Sequence, residues 1–159
     1  MPKCRHDIGI EAPGFSAAVV KQDADGWKYL VFQLAETETY GGFWSFLTGC
    51  KQGQETIAQA VARDVKAQTG VPGFRIFATE YLVQFYEPEN DKLWILPLIV
   101  VVVPSDAKVA LSDEHQQALW LTSRSAKHRV SWKNLIRAID DIADELEVFP
   151  ARNWVEIHP

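Results

Sequence analysis

A chain of 159 residues is long enough to bury one sizeable core and short for two, and 47% hydrophobic with 23% charged residues excludes disordered and fibrous classes. A formal net charge of −5 disfavours long nucleic acids, whose affinity is built from many lysine and arginine contacts. It leaves small anions open, because one local cluster of donors can hold a triphosphate.

The two cysteines, Cys4 and Cys50, have the spacing of neither a metal knuckle nor a disulfide framework. Reduced thiols in a cytoplasm are therefore expected. The first fifteen residues lack an apolar core of signal-peptide length. The longest apolar run, 93–103, contains Pro97 and is well short of the roughly 20 residues needed to cross a bilayer, so no membrane partner is expected.

In chain order, residues 15–21 and 27–34 are rich in valine, leucine and aromatics around the turn-forming Asp23-Ala24-Asp25-Gly26, which predicts a β-hairpin. Residues 36–42 are polar, end in Gly41-Gly42 and read as a loop before a short aromatic strand at 43–47. From Thr56 to Thr69, Ile57, Val61 and Val65 recur every four positions. Thr56 with Gln59 can form a capping box, and Gly70 and Pro72 stop the helix. Residues 75–86 and 93–103 are β-branched and aromatic and predict paired strands about a turn at 88–91. A short strand follows at 119–121. Ser131 is expected to cap a last helix, about 131–148, that buries Leu135, Ile139, Ile142 and Leu146. This order predicts one domain over 1–159 with a mixed sheet and helices packed on it.

The helix sits inside a fixed pattern. Residues 49–71, GCKQGQETIAQAVARDVKAQTGV, resemble the Nudix superfamily signature G-x5-E-x7-R-E-U-x-E-E-x-G-U, where U is bulky and aliphatic. Gly49, Glu55, Arg63, Val65, Gly70 and Val71 match at the required spacing, whereas the three helix positions that carry glutamate hold Asp64, Ala67 and Gln68. The preceding GFWSFLTG, and Glu114-His115 followed by Trp120, resemble the nucleoside and dihydroneopterin triphosphate pyrophosphohydrolase group.

The resemblance implies an α/β (α+β) Nudix fold, a mixed β-sheet sandwiched between helices. It also implies Mg2+- or Mn2+-dependent hydrolysis of a nucleoside or pterin triphosphate with release of pyrophosphate. Positions 64, 67 and 68 share one helix face. The implied metal ligands are therefore Asp64, Gln68 and the Gly49 carbonyl, a degenerate set that binds the cation weakly because one carboxylate remains on that face. Glu55, Arg63, Asp64 and Glu114 are the implied catalytic group. Arg63 would orient an acidic neighbour, the alternative being a solvated surface arginine. Glu114 would handle the water, the alternative being an exposed loop carboxylate.

For substrate binding, Lys51 is the implied phosphate contact, and Tyr40, with Phe43 and Trp44, could stack on a base, although core packing is the stronger expectation for Phe43 and Trp44. Arg129 belongs to a basic run with Arg124, Lys127, His128 and Lys133, read either as a phosphate rest at the start of the last helix or as a solvated charge run. The expected partner is a small nucleotide or pterin phosphate, and a homodimer is compatible with the sequence. The alternative function is an inactive Nudix-fold module that binds such a metabolite.

Overall fold

The computed structural model describes residues 7–159, so Cys4 lies outside the described residues. The elements in chain order are β1 (Gly9–Glu11), β2 (Gly14–Asp23), β3 (Gly26–Leu34), β4 (Trp44–Ser45), β5 (Leu47–Cys50), α1 (Ile57–Thr69), β6 (Arg75–Glu87) and β7 (Lys92–Val102). They continue with β8 (His115–Leu121), α2 (Ser123–Arg129), α3 (Lys133–Glu147) and β9 (Val155–Ile157).

The strands form one mixed sheet with the path β4-β3-β2-β7-β6-β9, in which β1 joins β7, β5 joins β2 and β8 joins β3. The hairpin β2–β3 closes with Asp23 opposite Gly26. Gly26 has φ 109, a region that glycine enters without a Cβ clash, and Asp25 N–H donates to Asp23 Oδ1 at 3.0 Å. The central pair, β2 and β7, runs parallel with Ala17 beside Ile99, while β6 and β7 are antiparallel.

Strand alternation divides the core in two, because successive side chains point to opposite faces. Phe15, Ala17, Val19, Phe32, Ile99 and Val101 pack with Val61 and Val65 of α1 on one face. Ala18, Val20, Val31, Leu98 and Val100 pack with Leu135, Ile139, Ile142 and Leu146 of α3 on the other. The sheet is thus sandwiched between helices. Each buried leucine or isoleucine of the α3 stripe contributes about 1.5–3 kcal/mol relative to exposure.

Helix α1 ends where its local signals place it. Thr56 Oγ1 accepts from Gln59 N–H at 3.2 Å, Gln59 Oε1 accepts from Thr56 N–H at 3.0 Å, and Gly70 closes the helix at φ 69.

Five features depart from the sequence expectation. The single short strand expected at 43–47 is two strands, β4 paired with β3 and β5 paired with β2. Strand β8 starts at His115 and not at 119, because it pairs with β3 as far as its last residue, Leu34, which stands opposite His115. The segment before the last helix is itself a helix, α2, capped by Thr122. The last helix begins at Lys133, and Ser131 does not cap it: its Oγ accepts from Trp44 N–H at 2.9 Å, and its N–H donates to Trp44 O at 3.0 Å. Ser131 therefore ties β4 to the α2–α3 junction. The short strands β1 and β9 are additional. Among the described residues no helix is long and apolar enough to cross a membrane.

Candidate functional site

Arg63, on α1, reaches back to the loop and strand that precede its helix. Its Nε donates to Glu55 Oε1 at 2.9 Å and its Nη2 to Glu55 Oε2 at 3.0 Å, a two-point grip on one carboxylate. The same Nη2 donates to Cys50 O at 2.8 Å, and Nη1 donates to Asp64 Oδ1 at 2.7 Å. One guanidinium thus joins the end of β5, the loop and the helix. The Arg63 bonds, and a further one from Gln52 N–H, hold the Glu55 carboxyl below the usual range. Asp64 behaves in the opposite sense: burial pushes its carboxyl up, Arg63 opposes that, and the Glu55 charge adds to it.

Gly49 lies opposite Phe15 in the β2–β5 ladder, directly under the Asp64 carboxylate. A Cβ built there would overlap Asp64 Oδ2 and stand 2.7 Å from Phe15 Cζ. Glycine is what lets the strand backbone and the helix carboxylate meet. One turn along α1, Gln68 is buried, whereas Ala67 is exposed and brings no side-chain oxygen. Among the described residues no group of three or more His, Cys, Asp or Glu side chains is placed to hold a metal ion.

Glu114 stands just before β8. Glu114 is exposed; the partial loss of solvation it does suffer pushes its carboxyl up first, and the charges of Glu38 and Asp64 add to the shift. Glu114 therefore feels the charge of the α1 carboxylate. Glu38 was not singled out in the sequence, because nothing separates it from the other acids of the polar loop at 36–42. That loop is fastened here by Ala35 N–H donating to Glu114 O at 2.9 Å. His115 is buried 4.7 Å from the Phe32 ring, and burial lowers its pKa, so it is a neutral packing residue.

A cavity of about 500 Å³ opens on the α3 face of the sheet, with walls from Tyr40, Phe85, Trp94, Trp132 and Leu96. Gly49 and Cys50 line it too, so it shares a rim with the Arg63 cluster. Tyr40 adopts φ 64 and sets its ring edge-on to Trp132 at 5.6 Å and 5.8 Å from Phe43. Phe85 and Trp94 stack at 6.1 Å. Phe43, expected in the core, is 43% exposed, because it packs on this aromatic rim; Trp44 is half-buried against the core. Ser16 and Asn134 also line the cavity and had no sequence signal, since a lone serine in a strand and a lone asparagine on a helix are unremarkable by type.

The remaining sequence candidates lie apart from the cavity walls. Lys51 is exposed, and its ammonium acts on Glu55 at a distance. The basic run is split between two helices: Lys127, His128 and Arg129 occupy the last turn of α2, where carbonyls and not amides point outward, and Lys133 opens α3. Lys127 pairs with Asp140 at 2.7 Å, and the Arg129 guanidinium lies 4.9 Å from the centre of the Trp44 ring.

No protein-family model matches the chain. An octanoyltransferase from Myxococcus xanthus is 33% identical over 128 residues, which is 76% of this chain; the chain spans about a third (33%) of the length of that relative. Among solved structures, a Nudix hydrolase from M. smegmatis superposes with a TM-score of 0.69 at 14% identity, covering 89% of each chain. The dihydroneopterin triphosphate pyrophosphohydrolase of E. coli superposes with a TM-score of 0.67 at 18% identity, covering 85% of this chain and 99% of that one.

Proposed function

The chain has the fold of the Nudix hydrolases, and on that premise we propose that it hydrolyses a phosphoanhydride bond of a nucleoside or pterin triphosphate. Water attacks a phosphorus, the bond from that phosphorus to the bridging oxygen breaks, and pyrophosphate and a monophosphate leave. The observation that carries this reading is the Arg63 cluster, which joins Glu55 and Asp64 to Cys50, and Cys50 with Gly49 lines a cavity large enough for the rest of such a molecule.

The residues fit a divalent cation of modest affinity. Asp64, Gln68 and the Gly49 carbonyl offer hard oxygens, which suits Mg2+ or Mn2+ when water and substrate phosphates supply the remaining ligands. A cation held there would neutralise charge on the phosphates. Asp64 is the single carboxylate on this helix face, and burial works against its charged form, so binding is weak. Arg63 keeps both acids oriented, and Glu114, its carboxyl raised, is the group suited to accept the proton of the attacking water.

A second reading, an inactive module that binds a nucleotide-like metabolite, is favoured by Ala67 and Gln68 where the signature has glutamates. An acyl ligand, raised by the likeness to an octanoyltransferase, suits the aromatic walls but makes no use of the Arg63 cluster. The experiment is Mg2+-dependent pyrophosphate release from a panel of nucleoside and pterin triphosphates, with ligand-induced thermal shift alongside. Turnover that disappears in Asp64→Asn supports hydrolysis. Stabilisation without turnover in the wild type supports the binding module and rejects the hydrolase.

A further inference from the structure

We infer that Ser16 and Asn134 select the ligand's ring, and that the cavity takes a flat heterocycle bearing an exocyclic amine, which donates to Asn134 Oδ1 while the ring edge meets Ser16 Oγ. The inference rests on the reading of this site as one for a nucleotide-like phosphate, and it names the part of the molecule that the Arg63 cluster does not touch.

Ser16 is fully buried on β2, on the face that carries Ala18 and Val20 toward α3. Asn134 lies in the first turn of α3. Both line the same cavity, and Ser16 Oγ and Asn134 Oδ1 are buried with no hydrogen-bond partner among the described residues. Buried oxygens of this kind are costly unless something pairs with them. Asn134 Oδ1 is an acceptor and calls for an N–H donor; the Ser16 hydroxyl can give or take.

The other walls define the rest of the ligand. Glu87 is the one charged residue lining the cavity among the described residues, and its carboxylate accepts from Trp94 Nε1 at 3.2 Å and from Asn90 Nδ2 at 2.9 Å. Among the described residues no lysine or arginine lines this cavity, so none of those walls would hold a phosphate. Phosphates are left at the Gly49–Cys50 rim, beside Asp64. Tyr40, Trp132, Phe85 and Trp94 offer aromatic faces, which favour a planar ring. A saturated acyl chain would satisfy those faces and leave both oxygens unpaired. An amino-substituted purine or pterin satisfies both.

The test uses the intact chain without metal, so that no turnover is needed. Calorimetric titration compares matched pairs that differ at one amine: GMP with IMP, AMP with purine riboside monophosphate, and pterin with lumazine. At least one amine-bearing member should bind about tenfold more tightly than its partner, the scale set by one buried acceptor left unpaired. Asn134→Ala should reduce that preference to about twofold or less, and Asn134→Asp, which keeps an acceptor, should retain it. Ser16→Ala should weaken both members of the pair, which keeps the test open if Asn134→Ala does not fold. Equal binding within every pair, or octanoate displacing the heterocycles, overturns the inference. Failure of the hydrolase reading shows separately, as amine selectivity without pyrophosphate release.

Discussion

Replacing Gly49 with alanine isolates the contact between β5 and α1. The added methyl would overlap Asp64 Oδ2 and stand 2.7 and 2.8 Å from Phe15 Cζ and Cε1, where carbon contacts are ordinarily about 3.5–4 Å. Phe15 is fully buried and Asp64 is held by Arg63 at 2.7 Å, so neither can yield without loss. Forcing a methyl into such packing costs about 1–3 kcal/mol, which for a chain of this size lowers the melting temperature by roughly 2–10 °C. The control is Gly73→Ala, whose Cβ would meet nothing within 4 Å and which should stay within about 0.5 kcal/mol of the wild type. Denaturant melts of the three proteins decide the matter. A Gly49→Ala protein as stable as the control would refute the account of how Asp64 is positioned.

Joining Ala67→Glu with Gln68→Glu restores carboxylates beside Asp64 and should raise Mg2+ affinity and any hydrolysis; unchanged calorimetric binding of Mg2+ would count against the shared helix face. Burial lowers the His115 pKa below its ordinary 6.5, so the unfolded chain takes up the proton first as pH falls, and the stability present above 6.5 is lost on the way down to the folded value. Melts at pH 7 and pH 5 should therefore show a smaller loss for His115→Gln than for the wild type, and equal losses would contradict a buried neutral imidazole.

The parts of the fold legible in the sequence are those with local causes. Thr56, Gln59 and Gly70 act within one helix, and its spacing of apolar residues needs no partner to be read. The β2–β3 turn is equally local, since Gly26 supplies the positive φ it needs. What escaped depends on neighbours. Strands β1 and β9 are three residues each and exist because β7 and β6 offer edges. Helix α2 buries only Ala126 and so carries no apolar periodicity. Ser131 has the type of a helix cap, but the backbone of Trp44 competes for it.

The site divides in the same way. Gly49, Glu55, Arg63 and Asp64 are brought together because one guanidinium spans a spacing written in the chain. Glu38, Ser16 and Asn134 come from a loop, a strand and a distant helix, and only the sheet and α3 bring the last two to one cavity. Arg129 stands at a helix end and not at a helix start for a related reason: the chain breaks into two helices at Val130.

On the proposed function, a divalent cation is gathered by Asp64, Gln68 and the Gly49 carbonyl, beside the cavity that Gly49 lines. Titrating Mn2+ into the isotope-labelled protein and following paramagnetic broadening of its amide resonances tests this without relying on turnover. Gly49, Asp64 and Gln68 should broaden first, and Asp64→Asn should abolish the effect. Broadening centred instead on the exposed acids of α3, Asp140 and Asp141, and unaltered in Asp64→Asn, would contradict it.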